Sequence, residues 1–153
     1  MAALREDRGT DARRATVPPA TRRITVVDHD EDFVDLLRDI FSEGFTIIGE
    51  SGITSVNDLA DTAPHLLIVD LDGDGLGGLD GRHIIALARR HRSLWDVPII
   101  VCTSDLMALM HEADELTATG NVHLIAKPFE IEGIERLVRR SLDGGAQRPL
   151  RVT

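Results

Sequence analysis

The chain of 153 residues has a single cysteine, Cys102, which excludes an internal disulfide and a cysteine-rich zinc site. No apolar run approaches the ~18 consecutive residues of a membrane helix. The opening MAALREDRGTDARR has no hydrophobic block behind its charges, as a secretory signal requires. Neither a G-x-S-x-G nucleophile elbow nor a G-x-x-x-x-G-K-S/T phosphate loop occurs, which removes the usual signatures of α/β-hydrolases and P-loop nucleotidases. His65, His83, His91, His111 and His123 are scattered without metal-ligand spacing, and no internal repeat is evident. Lysine is scarce too: Lys127 stands alone beside sixteen arginines. These absences leave a soluble, cytoplasmic globular domain with no membrane partner as the expectation.

Hydrophobic residues make up 42% of the chain, enough to bury one sizeable core. The 28% that are charged are interleaved with apolar runs, which argues against wholesale disorder. Charge is unevenly placed. Residues 1–23 carry a net +3 and residues 24–153 a net −12, together the −9 of the whole chain. A domain this acidic is a poor match for nucleic acid, whose affinity comes mostly from neutralising phosphates. The Arg, Ala, Thr and Pro content of residues 1–22 reads as a disordered basic arm.

After Pro18-Pro19 the pattern changes. Ile24–Val27 is a β-branched run, and Phe33, Leu36, Leu37, Ile40 and Phe41 follow at helical spacing up to Gly44. Phe45–Gly49 is a second strand, and Val56, Leu59 and Ala60 mark a short helix closed off by Pro64. Leu66–Val69 is apolar throughout, as a strand covered on both faces must be. Ile84, Ile85, Leu87 and Ala88 lie on a third helix, and Val97–Cys102 is another buried strand. Leu106, Leu109, Met110, Ala113 and Leu116 form the next helical stripe. Val122–Ala126 is a fifth strand, and Ile131, Ile134, Leu137 and Val138 a last helix before Gly144-Gly145. Trp95 is expected to anchor the loop ahead of Val97. Alternation of five strands with five helices predicts an α/β fold, a parallel sheet with helices on both faces.

Sites on such sheets lie beyond the carboxyl ends of the strands. Reading those ends alone gives Asp28-His29-Asp30, then Asp70, then Thr103-Ser104, then Lys127. Clustered carboxylates need a compensating charge, which a divalent cation or an ammonium supplies. An ammonium is a compact point charge, unlike the planar guanidinium the chain uses elsewhere. A hydroxyl and an ammonium beside a carboxylate make a pocket shaped for phosphoryl oxygens, and the carboxylate itself can be the nucleophile. Asp70, Asp72, Asp74 and Gly75 also match the first half of an EF-hand loop, but Gly81 falls where that loop needs a bidentate Glu. Gly73, Gly75 and Gly78 spell G-x-G-x-x-G, yet Asp72 and Asp74 would repel a pyrophosphate.

At these residues the sequence resembles the receiver domain of two-component response regulators, over roughly residues 23–143. Val26-Val27-Asp28 is similar to the family's acidic start, and Pro64 to Leu71 to the stretch ending in the phosphoacceptor aspartate. Leu79-Asp80-Gly81, Pro98 to Ser104 and Lys127-Pro128-Phe129 resemble the later motifs, the last with its cis-type proline turn. The resemblance implies a flavodoxin-like, doubly wound sandwich, a five-stranded parallel sheet in the order 2-1-3-4-5 with five helices. It implies that Asp70 accepts a phosphoryl group, with Thr103 and Lys127 on its oxygens. It also implies a Mg²⁺ held by Asp28, the residue after it (His29), Asp70 and the backbone carbonyl of Asp72. The implied partners are a histidine kinase or histidine phosphotransfer protein and a downstream protein target, engaged by the face around the last two helices; homodimerisation stays open.

Three departures stand out. His29 replaces an acidic metal ligand, and imidazole suits a hard cation poorly, so Asp30, Asp72 or Asp74 are candidates to make good the lost carboxylate. Leu124 replaces the Tyr or Phe of the family's switch. The glycine- and aspartate-rich stretch 71–78 exceeds the ~2–6 residues of an ordinary βα loop. The alternative reading is a receiver-like protein-binding module that is not phosphorylated. Asp105, two residues beyond Thr103, is a candidate influence on hydrolysis of the phosphoaspartate, and Arg136, Arg139 and Arg140 are candidates for a docking face. Residues 144–153 are expected to form a flexible tail, too short for an output domain, so a stand-alone receiver is the expectation.

Overall fold

A computed structural model describes residues 21–72, 78–118 and 120–144. Its strands are β1 (Arg22–Val27), β2 (Phe45–Glu50), β3 (Leu66–Asp70), β4 (Ile99–Thr103) and β5 (Val122–Ala126). Its helices are α1 (Glu31–Ile40), α2 (Val56–Asp61), α3 (Gly81–Arg90), α4 (Leu106–Ala118) and α5 (Ile131–Gly144). The sheet is parallel at every pairing and runs β2-β1-β3-β4-β5. Both the alternation and the strand order agree with expectation. The basic arm and the tail, apart from residues 21, 22 and 144, lie outside the described residues.

Each strand sends alternate side chains to opposite faces, and both faces are covered. Ile24, Val26, Leu66, Ile68, Ile100 and Cys102 pack with Val34 and Leu37 of α1, Phe41 at its C-terminal end, and Ile134 and Val138 of α5. On the other face Leu67, Val69, Ile99 and Val101 pack with Leu59 of α2, Ile84, Ile85 and Ala88 of α3 and Leu116 of α4. This two-sided burial explains why β3 and β4 carry continuous apolar runs. β4 begins at Ile99 and not at Val97, because Pro98 has no N–H to give a ladder.

Polar side chains start the helices where the sequence placed them. Asp30, Ser55 and Asp80 accept amide hydrogen bonds from the first turns of α1, α2 and α3. Gly44 adopts φ +85° in the turn into β2, a conformation a side chain resists.

Two expectations are corrected. Trp95 is 55% exposed, and its neighbour Leu94 fills the core instead. The stripe on α4 is not a buried face: Leu116 is buried, but Leu106, Met107 and Met110 are exposed. The start of α4, Leu106–Met110, is apolar without interruption, so periodicity there could not identify the packed side.

Arg89, near the end of α3, ties the bottom of the sheet together. Its guanidinium donates to the carbonyls of Leu94, Trp95 and Val97 before β4, and to those of Gly120 and Asn121 before β5. Only a planar fork of several donors can serve two loops at once. Arg89→Ala is expected to lower stability by about 2–4 kcal/mol, since charge-assisted bonds are worth more than neutral ones and the carbonyls lose partners. Arg89→Lys should recover part of that, read by urea denaturation; a change within about 0.5 kcal/mol for Arg89→Ala would contradict this role.

Candidate functional site

Strand register brings the chemistry together. Val27 pairs with Val69, Asp70 with Cys102 and Thr103 with Ala126. Asp28, Asp70, Thr103 and Lys127 therefore end neighbouring strands on the same edge. The peptide between Lys127 and Pro128 is cis, as the family resemblance implied.

Lys127 is the centre of the cluster. Its Nζ lies 3.0 Å from Asp28 Oδ2 and 3.7 Å from Asp70 Oδ1. Its backbone N–H donates to the Thr103 carbonyl at 2.8 Å, which docks the β5 end on the β4 end. The ammonium also sits 4.2 Å from the centre of the Phe33 ring, a favourable place for a cation. Phe33 is in turn held edge-on by Phe129 at 5.8 Å. Burial would lower the lysine pKa, but the hydrogen bond to Asp28 and the charges of Asp28 and Asp70 outweigh it and hold it above its usual value.

Asp28 is buried, with Oδ1 accepting the Asp30 amide at 2.9 Å. Asp70 accepts the Asp72 amide on Oδ1 at 2.9 Å. Burial, and after it the charges of Asp28 and Asp72, raise the Asp70 pKa from 3.8 to about 6 against the Asp72 amide and Lys127. Gly81 shows how tightly the acid is backed: a Cβ there would lie 2.8 Å from the Asp70 carbonyl oxygen.

Thr103 is buried at the end of β4. Its hydroxyl donates to Asp72 Oδ1 and accepts the Asp105 amide at 3.0 Å. The Asp72 carboxylate also accepts the Ser104 amide at 2.9 Å and the Ser104 hydroxyl at 2.8 Å, both on Oδ2. Burial works against the Asp72 charge, but the bonds from Thr103 and Ser104 prevail and its pKa falls below the usual value.

The remaining candidates divide. His29 is exposed and lines a small cavity with Asp28, Asp70, Ser51 and Asp80. Asp30 caps α1, its Oδ1 accepting the Asp32 and Phe33 amides. The Asp72 side chain likewise faces Thr103 and Ser104, away from the supplementary metal role. Asp74 and the rest of 73–77, including part of the EF-hand-like stretch and most of the G-x-G-x-x-G stretch, lie outside the described residues. Asp105 caps α4 through the Ala108 amide at 3.1 Å. Leu124 packs half-buried against the α2–α4 core, and Arg136, Arg139 and Arg140 are exposed on α5. His65 Nδ1 accepts the Arg23 amide at 2.9 Å, a satisfied structural histidine.

Two carboxylates against one ammonium leave negative charge at the Asp28–Asp70 edge, and their oxygens suit a hard divalent cation. Among the described residues no group of three or more His, Cys, Asp or Glu could hold a metal unaided. A Mg²⁺ there would complete its shell with backbone carbonyl, water and ligand oxygens, as that ion commonly does.

No family model matches the chain, and no curated protein matches its sequence. Solved structures do match its shape. The Vibrio cholerae chemotaxis protein CheY4 is 16% identical with a TM-score of 0.68, over 80% of this chain and 99% of that one. The receiver domain of sensor histidine kinase PA1611 from Pseudomonas aeruginosa, solved with magnesium coordinated in its active-site cleft, is 19% identical with a TM-score of 0.64 over 81% and 99%. NtrX from Brucella abortus is 22% identical with a TM-score of 0.67 over 82% of this chain, which spans only 28% of NtrX. The fold is the receiver fold. Within it, among the described residues, no helix is long and apolar enough to cross a membrane.

Sequence reasoning did not find the Phe33 ring under the lysine of this receiver fold, nor the bond from Thr103 to Asp72. Phe33 reads as one more member of the α1 stripe, and Asp72 lies in a stretch whose glycines leave its direction undetermined.

The raised Asp70 pKa has a sign that can be checked. Folded protein holds this proton more tightly than unfolded protein, so stability present below about pH 4 is lost as pH rises through about 6. Asp70→Asn removes that loss. In metal-free buffer it should be more stable than wild type above pH 6, by roughly 1–2 kcal/mol, and lose the advantage near pH 4. Urea denaturation across this range measures it; a difference independent of pH would refute the assignment.

Proposed function

We propose that this chain is a phosphoryl-accepting signalling domain, with Asp70 as the acceptor. The observation that carries the reading is the single lysine ammonium, held within 3.0 Å of Asp28 and 3.7 Å of Asp70 at the ends of the strands. A donor phosphohistidine on a histidine kinase or histidine phosphotransfer protein presents a P–N bond. An Asp70 carboxylate oxygen attacks phosphorus, the P–O bond forms as P–N breaks, and the leaving imidazole nitrogen keeps the electron pair and takes a proton. Lys127 remains charged and neutralises the phosphoryl oxygens, while the Thr103 hydroxyl donates to one of them. Asp28, Asp70 and the Asp72 carbonyl, beside His29, would hold a Mg²⁺ whose chemistry is to neutralise the same oxygens. Readout passes to a downstream protein target in the cytoplasm.

Little else is asked of the protein, since phosphoryl transfer depends chiefly on positioning and on charge neutralisation. Asp70 stands ready in both respects. It is fixed by the Asp72 amide and backed by the first turn of α3. Its charge is balanced by an ammonium that Asp28 and Phe33 keep in place.

Incubation with phosphoramidate or acetyl phosphate and Mg²⁺, followed by intact mass, should give a single phosphoryl adduct that is absent from Asp70→Asn. Lys127→Met should slow its formation by about 100-fold, the loss expected for one electrostatic contact to transferring oxygens. No adduct in wild type, or an equal adduct in Asp70→Asn, would instead favour a protein-binding module that uses the fold without the chemistry.

A further inference from the structure

The hydroxyl and amide that a phosphoryl group on Asp70 would need are already engaged. Thr103 Oγ1, the Ser104 amide and Ser104 Oγ all donate to one carboxylate, that of Asp72. Asp72 lies two residues beyond the acceptor, and its own amide holds Asp70 Oδ1 at 2.9 Å. The two acids thus sit side by side, one against the ammonium and the other against the hydroxyl and amide donors. Such an anion is well suited to this place: three donors converge on two oxygens, and bonds to a charged acceptor are the strong ones.

We propose that Asp72 is an internal occupant of the phosphoryl-oxygen site, a side chain that must swing out before phospho-Asp70 can engage Thr103 and Ser104. This inference rests on the phosphoryl-accepting reading and adds to it the control of that site. Two consequences follow from the contacts. The unmodified protein holds Thr103 and the start of α4 in the arrangement an anion favours, because a carboxylate already satisfies them. Phosphorylation therefore exchanges one anion for another and ejects Asp72, so the displaced carboxylate becomes part of the response.

The test separates occupancy from simple charge. Asp72→Asn removes the charge but keeps a carbonyl oxygen for Thr103 and Ser104, whereas Asp72→Ala removes both. Fluoroberyllate with Mg²⁺ serves as the phosphoryl mimic, and its affinity is measured for wild type and both variants. Occupancy predicts that Asp72→Ala binds it about tenfold more tightly than Asp72→Asn, the scale of one freed charge-assisted donor. That advantage should shrink in a Thr103→Ala background. Independently of the mimic, the Ser104 amide proton should resonate downfield in wild type and move upfield in Asp72→Ala.

Wild-type binding with the two variants equal, or an unmoved Ser104 amide, overturns the inference and leaves the phosphoryl-accepting reading standing. Binding by Asp72→Ala but not by wild type supports the inference strongly. No binding by any of the three overturns both, since freeing the donors should then have exposed the site.

Discussion

One ammonium between two carboxylates organises this end of the molecule. Asp28 and Asp70 follow or end adjacent strands, and burial pushes the Asp70 carboxyl toward neutrality. Lys127 reaches them from a third strand end and is steadied by the Phe33 ring. The Lys127 amide bonded to the Thr103 carbonyl carries the same constraint into the backbone. Asp70 remains the less satisfied acid, bonded through Oδ1 and with its pKa raised.

The fold was legible because two-sided burial writes itself into the chain. Leu66–Val69 and the run up to Cys102 read as interior strands, the second beginning at Ile99 once Pro98 is passed, and the helices between them carried apolar positions at the right spacing. The strand ends were legible for a related reason: in a parallel sheet the loops that follow them share one edge, so Asp28, Asp70, Thr103 and Lys127 could be grouped before any coordinate was known. α4 was less legible. Its first five residues, Leu106–Met110, are all apolar, and which of them pack is decided by the sheet they meet. Trp95 misled for the opposite reason, since a large ring suggests burial while the neighbouring Leu94 had the better shape for the space.

Side-chain direction in the site was the part the residues could not convey. Asp30 and Asp72 both lay near the cluster and both were candidates to replace the carboxylate missing at position 29. One caps a helix and the other fills the Thr103–Ser104 donors. In each case amide and hydroxyl donors claimed the carboxylate, a preference set by local backbone geometry.

Cys102 lies directly beneath the cluster, fully buried, with burial pushing its thiol up to about 12. The chain's only sulfhydryl is thereby withdrawn from alkylating and oxidising reagents, whose target is the exposed thiolate. A cysteine engineered anywhere on the surface would be the sole position open to maleimide or spin-label chemistry, so the native background already serves as a label-silent scaffold for distance measurements.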